Sequence, residues 1–236
     1  MSQVMPTNSK WSRFFDGHTH LPINKAQQPD QMIINGTHIE ELPNLRNLLK
    51  DSKYSVGFGI HPWFISESSF IPPKEIYSEF DFVGEIGLDR SFKHRETYHV
   101  QLKTVQQQLN IASELQKNVC FHLVKAYGAA YDLFRNYDRS VYLHGYRGSV
   151  EFAHSLLKKP FFFGFSAEQL KTLKGYNVAK FLPMNRIILE SDSSPCLMLI
   201  KEAYLLLSQI KQCSFEEIHR HQNENIIHWM NYLRSD

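Results

Sequence analysis

The sequence predicts a (β/α)8 barrel formed as a single domain by the 236-residue chain. Eight short runs of β-branched or aromatic residues recur along the chain, and longer segments with helical spacing separate them, which is the pattern of a parallel sheet built from β/α units. A barrel of this kind typically has about 250 residues, so the chain length fits. An open doubly wound sheet is the alternative, but the sequence has no G-x-G-x-x-G fingerprint to favour it.

The predicted elements follow the hydrophobic runs in chain order. The strands are predicted at residues 13–16, 32–35, 55–59, 82–85, 119–122, 141–144, 161–164 and 186–190. The clearest helix is predicted at residues 95–116, and a C-terminal pair at 197–211 and 215–232. S/T-x-x-E/Q capping boxes predict helix starts after Thr37, Ser166 and Ser214. Residues 1–12 are expected to form a flexible N-terminal extension.

Charge, hydropathy and cysteine content indicate how the protein could bind nucleic acid and which compartment it occupies. The chain has 26 Lys and Arg residues and 24 Asp and Glu residues, which gives a net charge of +2. This charge is too small to bind nucleic acid by itself, so a polyanion would have to bind at a local positive patch. There is no run of 18 apolar residues and no apolar stretch typical of a signal peptide, which predicts a cytoplasmic protein without a membrane partner. Cys120, Cys196 and Cys213 lie far apart and are expected to be reduced thiols.

Histidine is abundant, with 12 residues, and several follow apolar runs. In Asp16-Gly17-His18-Thr19-His20, alternation along an extended backbone brings His18 and His20 out on one side. Further metal-competent side chains stand at the ends of later predicted strands, namely Glu85, His122, His144 and Asp192. Because the carboxyl ends of barrel strands face one mouth, these six side chains are candidate ligands of one metal centre.

Four imidazoles and two carboxylates exceed the ligands of one tetrahedral zinc ion. They favour a two-cation site with a bridging carboxylate and an open position for an activated water. Mixed nitrogen and oxygen ligands without thiolate permit Zn, Mn, Fe or Mg, and the sequence does not choose among them. Such a site suits phosphodiester hydrolysis, and Asp192 is the predicted proton acceptor.

An ordered set of motifs resembles a known family. F-D-G-H-T-H-L, G-I-H-P, G-E-I-G-L-D, F-H, L-H-G-Y-R-G and I-L-E-S-D-S-S-P resemble, in this order, the motifs of the TatD family of metal-dependent hydrolases and deoxyribonucleases, including its short bacterial members. The resemblance extends from about residue 14 to residue 225. It implies a TIM-like barrel of the metal-dependent amidohydrolase type that binds one or two divalent ions and acts as a 3′–5′ exonuclease on single-stranded DNA ends.

The resemblance also implies individual roles. His18 and His20 are the implied ligands of one metal ion, and His122 and His144 are those of the second. Glu85 is the implied bridge between the two ions, and Asp192 is both ligand and base. Glu85 and Asp192 are therefore the implied catalytic carboxylates. His61 of G-I-H-P is a candidate substrate or water contact, and Lys125 and Arg147 are candidate phosphate contacts.

One departure concerns the substrate. Nuclease members of the family commonly carry an arginine two residues after the fifth-strand histidine, where this chain has Val124 followed by Lys125. Lysine supplies charge without the planar fork of arginine. This departure keeps open the hydrolysis of a small-molecule or aminoacyl-tRNA-type ester. A second departure, the short loop at residues 196–201 after the eighth strand, together with the near-neutral charge keeps open a scaffolding subunit of a bacterial multi-protein system such as phage defence.

Several other side chains have two interpretations. Trp63, Phe64 and Phe92 could stack on an unpaired base or pack loops. Glu190 could orient Asp192 or a ligand, or form a structural ion pair. Asp16 is predicted to accept hydrogen bonds at a strand end, and Asn223 and Asn225 to cap or end the last helical turns.

Overall fold

The computed structural model describes residues 14–23, 28–192 and 195–231. In these ranges, eight strands form one parallel sheet whose order in space is the order in the chain. The strands are β1 (Phe15–Thr19), β2 (Gln31–Gly36), β3 (Tyr54–Phe58), β4 (Phe82–Asp89), β5 (Val119–Val124), β6 (Val141–Leu143), β7 (Phe161–Phe165) and β8 (Ile187–Leu189). All eight predicted strands are therefore present. Residues 1–12, the predicted extension, lie outside the described residues.

Helices connect the strands and cover the outside of the sheet. They are α1 (Leu42–Leu48), α2 (Lys74–Ser78), α3 (Tyr98–Glu114), α4 (Tyr127–Arg135), α5 (Val150–Leu156), α6 (Ala167–Lys171), α7 (Leu173–Phe181), α8 (Leu197–Lys211) and α9 (Phe215–Asn231). None of the helices in the described ranges is long and apolar enough to cross a membrane.

A seam between β8 and β1 is bridged largely by side chains. At the mouth, the backbone N–H of Asp192 donates to the carbonyl of His18 over 3.0 Å, and the N–H and hydroxyl of Ser191 donate to Asp16 over 2.9 and 2.6 Å. Asp16 is thus the acceptor that the sequence predicts. Deeper in the seam, Gln222 of α9 makes 2.9 Å hydrogen bonds with both the N–H and the carbonyl of Leu189. The result is a nearly closed barrel, which confirms the predicted fold.

The barrel interior is a packed apolar core rather than a channel. Inward side chains of six strands meet two side chains of α9: Ile33, Phe82, Cys120, Tyr142, Phe162, Ile188, Ile226 and Trp229. The ring of Trp229 lies 5.0 Å from Phe82 and 5.5 Å from Tyr142 between centroids. Helix α9 therefore seals the end of the barrel opposite the carboxyl ends of the strands.

Strands β1 and β4 extend furthest beyond their predicted carboxyl ends. β1 continues to Thr19 and β4 to Asp89, so His18 lies within its strand rather than after it, and Glu85 lies inside its strand rather than at the strand's last residue. Each strand carries one extra residue relative to its neighbour, between Asp16 and Thr19 in β1 and between Val83 and Ile86 in β4. An extra residue bends a strand and re-aims its side chains, and here it does so next to both functional candidates.

The helix caps are partly as predicted. Ser166 forms the predicted capping box with Gln169. The hydroxyl of Ser214 accepts from the N–H of Glu217 over 3.1 Å. The predicted box at Thr37 is wrong, because Thr37 donates to Glu41.

The predicted role of Asn225 is also wrong. It lies inside α9, buried, and donates to the carbonyls of Met184 and Ile187 over 2.9 and 2.7 Å. Asn223 likewise lies within α9 rather than at its end. The helix continues past both residues because its apolar face is covered by the barrel.

Candidate metal centre

Glu85 lies at the middle of a ring of imidazoles at the mouth. Its Oε1 lies 2.6 Å from Nε2 of His144 and 3.0 Å from both Nε2 of His61 and Nδ1 of His122. Its Oε2 lies 3.0 Å from Nε2 of His20. The carboxylate is almost fully buried, so these imidazoles replace the water that would otherwise solvate its charge.

The fifth imidazole is that of His18, whose Nε2 lies 3.4 Å from Oε2 of Glu85 and 3.0 Å from Nε2 of His20. The His18 ring stacks on that of His144 with 3.9 Å between centroids. On its other edge, Nδ1 of His18 lies 2.9 Å from the side-chain amide nitrogen of Asn35. The pair His18 and His20 thus faces Glu85 as the alternation of β1 predicts.

Asp192 completes the cluster from the end of β8, the strand across the barrel from β4 and Glu85. It follows β8 with a left-handed backbone, φ +69°, and its Oδ1 lies 3.6 Å from Nδ1 of His144. Left-handed backbone is uncommon outside glycine, although aspartate tolerates it better than most residues. The hydrogen bond from the Asp192 N–H to His18 holds this conformation and keeps the carboxylate at the mouth.

The donor set fits a divalent metal ion. Three groups of three side chains each have ligand atoms within 4.8 Å of one another: His18, His20 and Asp192; His18, Glu85 and His144; His61, Glu85 and His122. Imidazole nitrogens and carboxylate oxygens are the ligands of catalytic zinc and of related divalent ions. Two buried atoms, Nδ1 of His144 and Oδ1 of Asn35, have no hydrogen-bond partner, which is costly unless another group binds there. The mouth therefore contains a His/Glu/Asp cluster capable of binding metal.

The charges of the cluster depend on one another. Burial disfavours the charged form of Glu85, but the imidazoles around it, His144 foremost, outweigh burial and hold its pKa well below the usual range. Burial also opposes protonation of His20 and His122, yet carboxylate partners outweigh it and raise the pKa of each to about 9. Burial lowers the pKa of His18 to about 3. Without metal, the cluster thus holds protonated imidazoles beside an ionised Glu85.

Asp89 supports the cluster although sequence reasoning missed it. Its Oδ2 lies 3.3 Å from Nε2 of His122 and accepts from the indole N–H of Trp63 over 2.7 Å. Gln101 of α3 accepts from the Asp89 N–H over 2.8 Å and donates to its carbonyl over 3.1 Å. The G-E-I-G-L-D motif contains this residue, but the predicted strand ended four positions earlier, at Glu85.

Glu190 fixes the turn that carries His144. Its Oε1 accepts from the N–H of Gly145 over 2.6 Å, and its Oε2 accepts from the hydroxyl of Tyr142. Burial, and then the charge of Asp192, raises the pKa of Glu190 well above its ordinary value. Glu190 therefore supports His144 through backbone and hydroxyl contacts rather than as half of an ion pair.

The three predicted substrate contacts, His61, Lys125 and Arg147, differ in their burial and in their distance from the ligand cluster. His61 is buried and lies within the cluster, 3.0 Å from Glu85, so it is closer to the ligands than a rim position implies. Lys125, with φ +55°, and Arg147 are exposed and lie outside the three ligand groups. The roles of all three in substrate binding stay predictions.

Together, the fold and the cluster define a parallel β/α barrel with a candidate metal centre at the carboxyl ends of its strands. The profile of the family described as TatD related DNase matches residues 15–231. The chain therefore belongs to the TatD-related DNase family.

Curated relatives agree with this membership. A putative deoxyribonuclease of Vairimorpha ceranae, a TATDN1 homologue, is 28% identical over 154 residues, covering 63% of this chain and 58% of that protein. A Buchnera aphidicola protein described as an uncharacterized metal-dependent hydrolase is 25% identical over 206 residues, covering 75% of this chain and 77% of that protein. The matched region spans less than two thirds of the length of the first curated relatives.

A crystal structure of a TatD homologue from Escherichia coli K12 superposes with a TM-score of 0.80 at 18% identity. That likeness covers 94% of this chain and 99% of the other, and it shows a shared fold. A dihydroorotase structure also superposes, with a TM-score of 0.63 at 12% identity and coverage of 92% of this chain and 69% of that one.

Proposed function

We propose that the protein is a divalent-metal-dependent phosphodiesterase that degrades DNA, acting as a 3′–5′ exonuclease on single-stranded ends in the cytoplasm. The observation that carries the proposal is the convergence of five imidazoles and Asp192 around the buried carboxylate of Glu85. Family membership and the deoxyribonuclease names of the relatives support DNA as the substrate.

The ligands would be shared between two cations. His18, His20 and Asp192 supply one group, and Glu85 belongs to both groups that include His122 or His144, which suits a bridging carboxylate. Zn, Mg and Mn are the candidate ions for these nitrogen and oxygen ligands. When bound, such cations lower the pKa of water and stabilise charge on the phosphoryl and leaving oxygens.

Asp192 is the proposed base. Its pKa is lowered, because the charges of His144 and His18 outweigh the effect of burial, so the carboxylate is ionised at neutral pH and free to accept a proton from the attacking water. The side chain of Asp192 is 42% exposed, whereas that of Glu85 is only 3% exposed, which supports Asp192 as the carboxylate nearer to the substrate. Glu85 instead holds the imidazoles in position.

A cleavage assay tests the proposal. The metal-free protein is supplied with Mg, Mn or Zn and given single-stranded DNA carrying a label on the 5′ or the 3′ end. We expect stepwise shortening from the 3′ end by the wild type and loss of cleavage in His18→Ala/His20→Ala. A matched control, His154→Ala/His221→Ala, removes two imidazoles from α5 and α9 and is expected to retain cleavage.

The same assay separates the other interpretations. Equal DNA cleavage by the wild type and His18→Ala/His20→Ala would trace the activity to a contaminant and reject the proposal. Turnover of carboxylic esters or lactones in place of phosphodiesters would move the reaction to the ester alternative. Retention of a cellular phenotype by Asp192→Asn would favour scaffolding instead.

A further inference from the structure

Trp63 is an exposed tryptophan held in one orientation beside the metal centre. It is 56% exposed, yet its indole N–H donates to Asp89 over 2.7 Å and its ring stacks on that of His94, 5.1 Å between centroids and 9° between planes. Its centroid lies 5.0 Å from that of His61 and 6.0 Å from that of His122. An indole whose only polar group is already bonded inward offers its π surface alone to a ligand.

The loop that supplies His94 is basic and carries a second exposed aromatic ring. Residues 90–95 read R-S-F-K-H-R, and Phe92 is 77% exposed beneath the guanidinium of Arg95, 4.6 Å from the ring centroid. Arg95 also lies 3.4 Å from Glu96, so part of its charge is matched. In the part of the chain that the structure describes, no carboxylate forms an ion pair with Arg90 or Lys93.

We infer that Trp63 and His94 form a nucleobase subsite for a single-stranded nucleic acid, whose unpaired base stacks on the indole while its flanking phosphates approach Arg90 and Lys93. The inference rests on the proposed function, since it names how the same site takes its substrate. Stacking platforms combined with local positive charge are the usual means of binding single strands without sequence preference. The near-neutral net charge of the chain agrees with binding through local positive charge rather than through the charge of the whole chain.

Two features favour a base over a packing role for this tryptophan. A loop aromatic that serves packing is covered by its neighbours, whereas more than half of Trp63 faces solvent. The Trp63 ring also shares Asp89 with His122, so a base stacked there lies directly beside the cluster that would cleave its phosphodiester. With the indole N–H occupied, the subsite is expected to tolerate all four bases.

Equilibrium binding tests the subsite without cleavage. Fluorescence anisotropy in a chelating buffer compares a short labelled oligothymidylate with an abasic chain of the same length and charge. We expect the wild type to bind the base-bearing chain about 5- to 150-fold more tightly, the range that stacking of a base on an aromatic side chain supplies. Trp63→Leu is expected to reduce this ratio to about onefold, because leucine has no π face.

Two further variants separate stacking from loss of structure. Trp63→Phe keeps an aromatic ring but loses the N–H bond to Asp89, and it is expected to keep the preference for the base-bearing chain. Phe181, at the carboxyl end of α7, is another exposed aromatic residue with a neighbouring histidine, His154. Phe181→Leu is the matched control and is expected to show the wild-type affinity ratio.

Equal affinity of the wild type for the two chains, including no detectable binding of either, overturns the inference. An unchanged ratio in Trp63→Leu overturns it as well. DNA cleavage without base preference would retain the proposed nuclease and reject the subsite. Base preference without any metal-dependent cleavage would reject the nuclease and retain the subsite.

Discussion

The carboxylate of Asp89 lies 3.3 Å from Nε2 of His122, on the edge of the ring opposite the Nδ1 that faces Glu85. A carboxylate behind a histidine ligand fixes which ring nitrogen carries the proton and makes the other nitrogen a better ligand. Here Asp89 accepts a hydrogen bond from the Nε2–H of His122, so Nδ1 is the ring nitrogen that faces the cluster and would bind a metal ion. Trp63 and Gln101 in turn hold Asp89 in place.

Replacing Asp89 by asparagine should weaken metal binding. The asparagine amide would keep the shape of the side chain, but its NH2 group can donate to Nε2 of His122 and so move the ring proton to Nδ1. We expect metal affinity to fall about 10- to 100-fold, the usual cost of losing such a partner. Competition with a chromogenic chelator measures it, and Asp132→Asn on the exposed side of α4 is the control. Wild-type affinity in Asp89→Asn would refute this role.

The sequence could predict the meeting of the six candidate ligands because it depends on one rule, that parallel strands of a barrel end at one mouth. It could not predict Asp89 or the position of His61. Asp89 lies beyond the predicted end of β4, past the extra residue that shifts the register of β4 against β5, and His61 belongs to a different segment that follows β3. The contacts of Gln101 join segments that no local pattern relates.

Glu190 should matter through its two hydrogen bonds rather than through its charge. Glu190→Ala would leave the N–H of Gly145 and the hydroxyl of Tyr142 unpaired in a buried cavity. We expect a loss of about 2–4 kcal/mol in the free energy of unfolding. Glu190→Gln keeps an acceptor for Gly145, and because the raised pKa of Glu190 favours its neutral form, it should cost less than about 1 kcal/mol. Equal destabilisation by the two variants in urea titrations would contradict this account.

The stability of the metal-free protein should depend on pH through four imidazoles. The pKa values of His20 and His122 are raised to about 9, because carboxylate partners outweigh burial. Their contribution is therefore complete below the unfolded value of about 6.5 and is lost as pH rises through 9. Burial lowers the pKa of His18 to about 3 and of His61 to about 4, so these two rings cost stability as pH falls below about 6.5.

The contribution of these four groups thus peaks near pH 6.5, at their ordinary pKa. Urea unfolding in a chelating buffer measures it, and His20→Gln should flatten the decline on the alkaline side. Metal binding displaces protons from His20 and His122, so titration calorimetry in buffers of different ionisation enthalpy should detect proton release at neutral pH. A free energy of unfolding that rises from pH 6.5 to 9 without metal would contradict the assignment.

Gln222 should be as important to the barrel as a strand pairing, because it satisfies the edge of β8. Its side chain bonds both the N–H and the carbonyl of Leu189, which face the seam toward β1. Gln222→Leu preserves side-chain volume but leaves two buried backbone groups unpaired, and we expect it to cost about 2–4 kcal/mol. For a chain of this size that lowers the melting temperature by about 4–16 °C.

Gln209→Leu in α8 is the matched control, because Gln209 is exposed and it should melt within about 2 °C of the wild type. The loss in Gln222→Leu should also reach the metal centre, since Asp192 is held three residues beyond Leu189 across the same seam. Amide exchange should therefore increase at Leu189 and at Asp192 together. Increased exchange at Leu189 alone would show that the seam and the metal centre open independently, and an unchanged melting temperature would show that the seam needs no bridge.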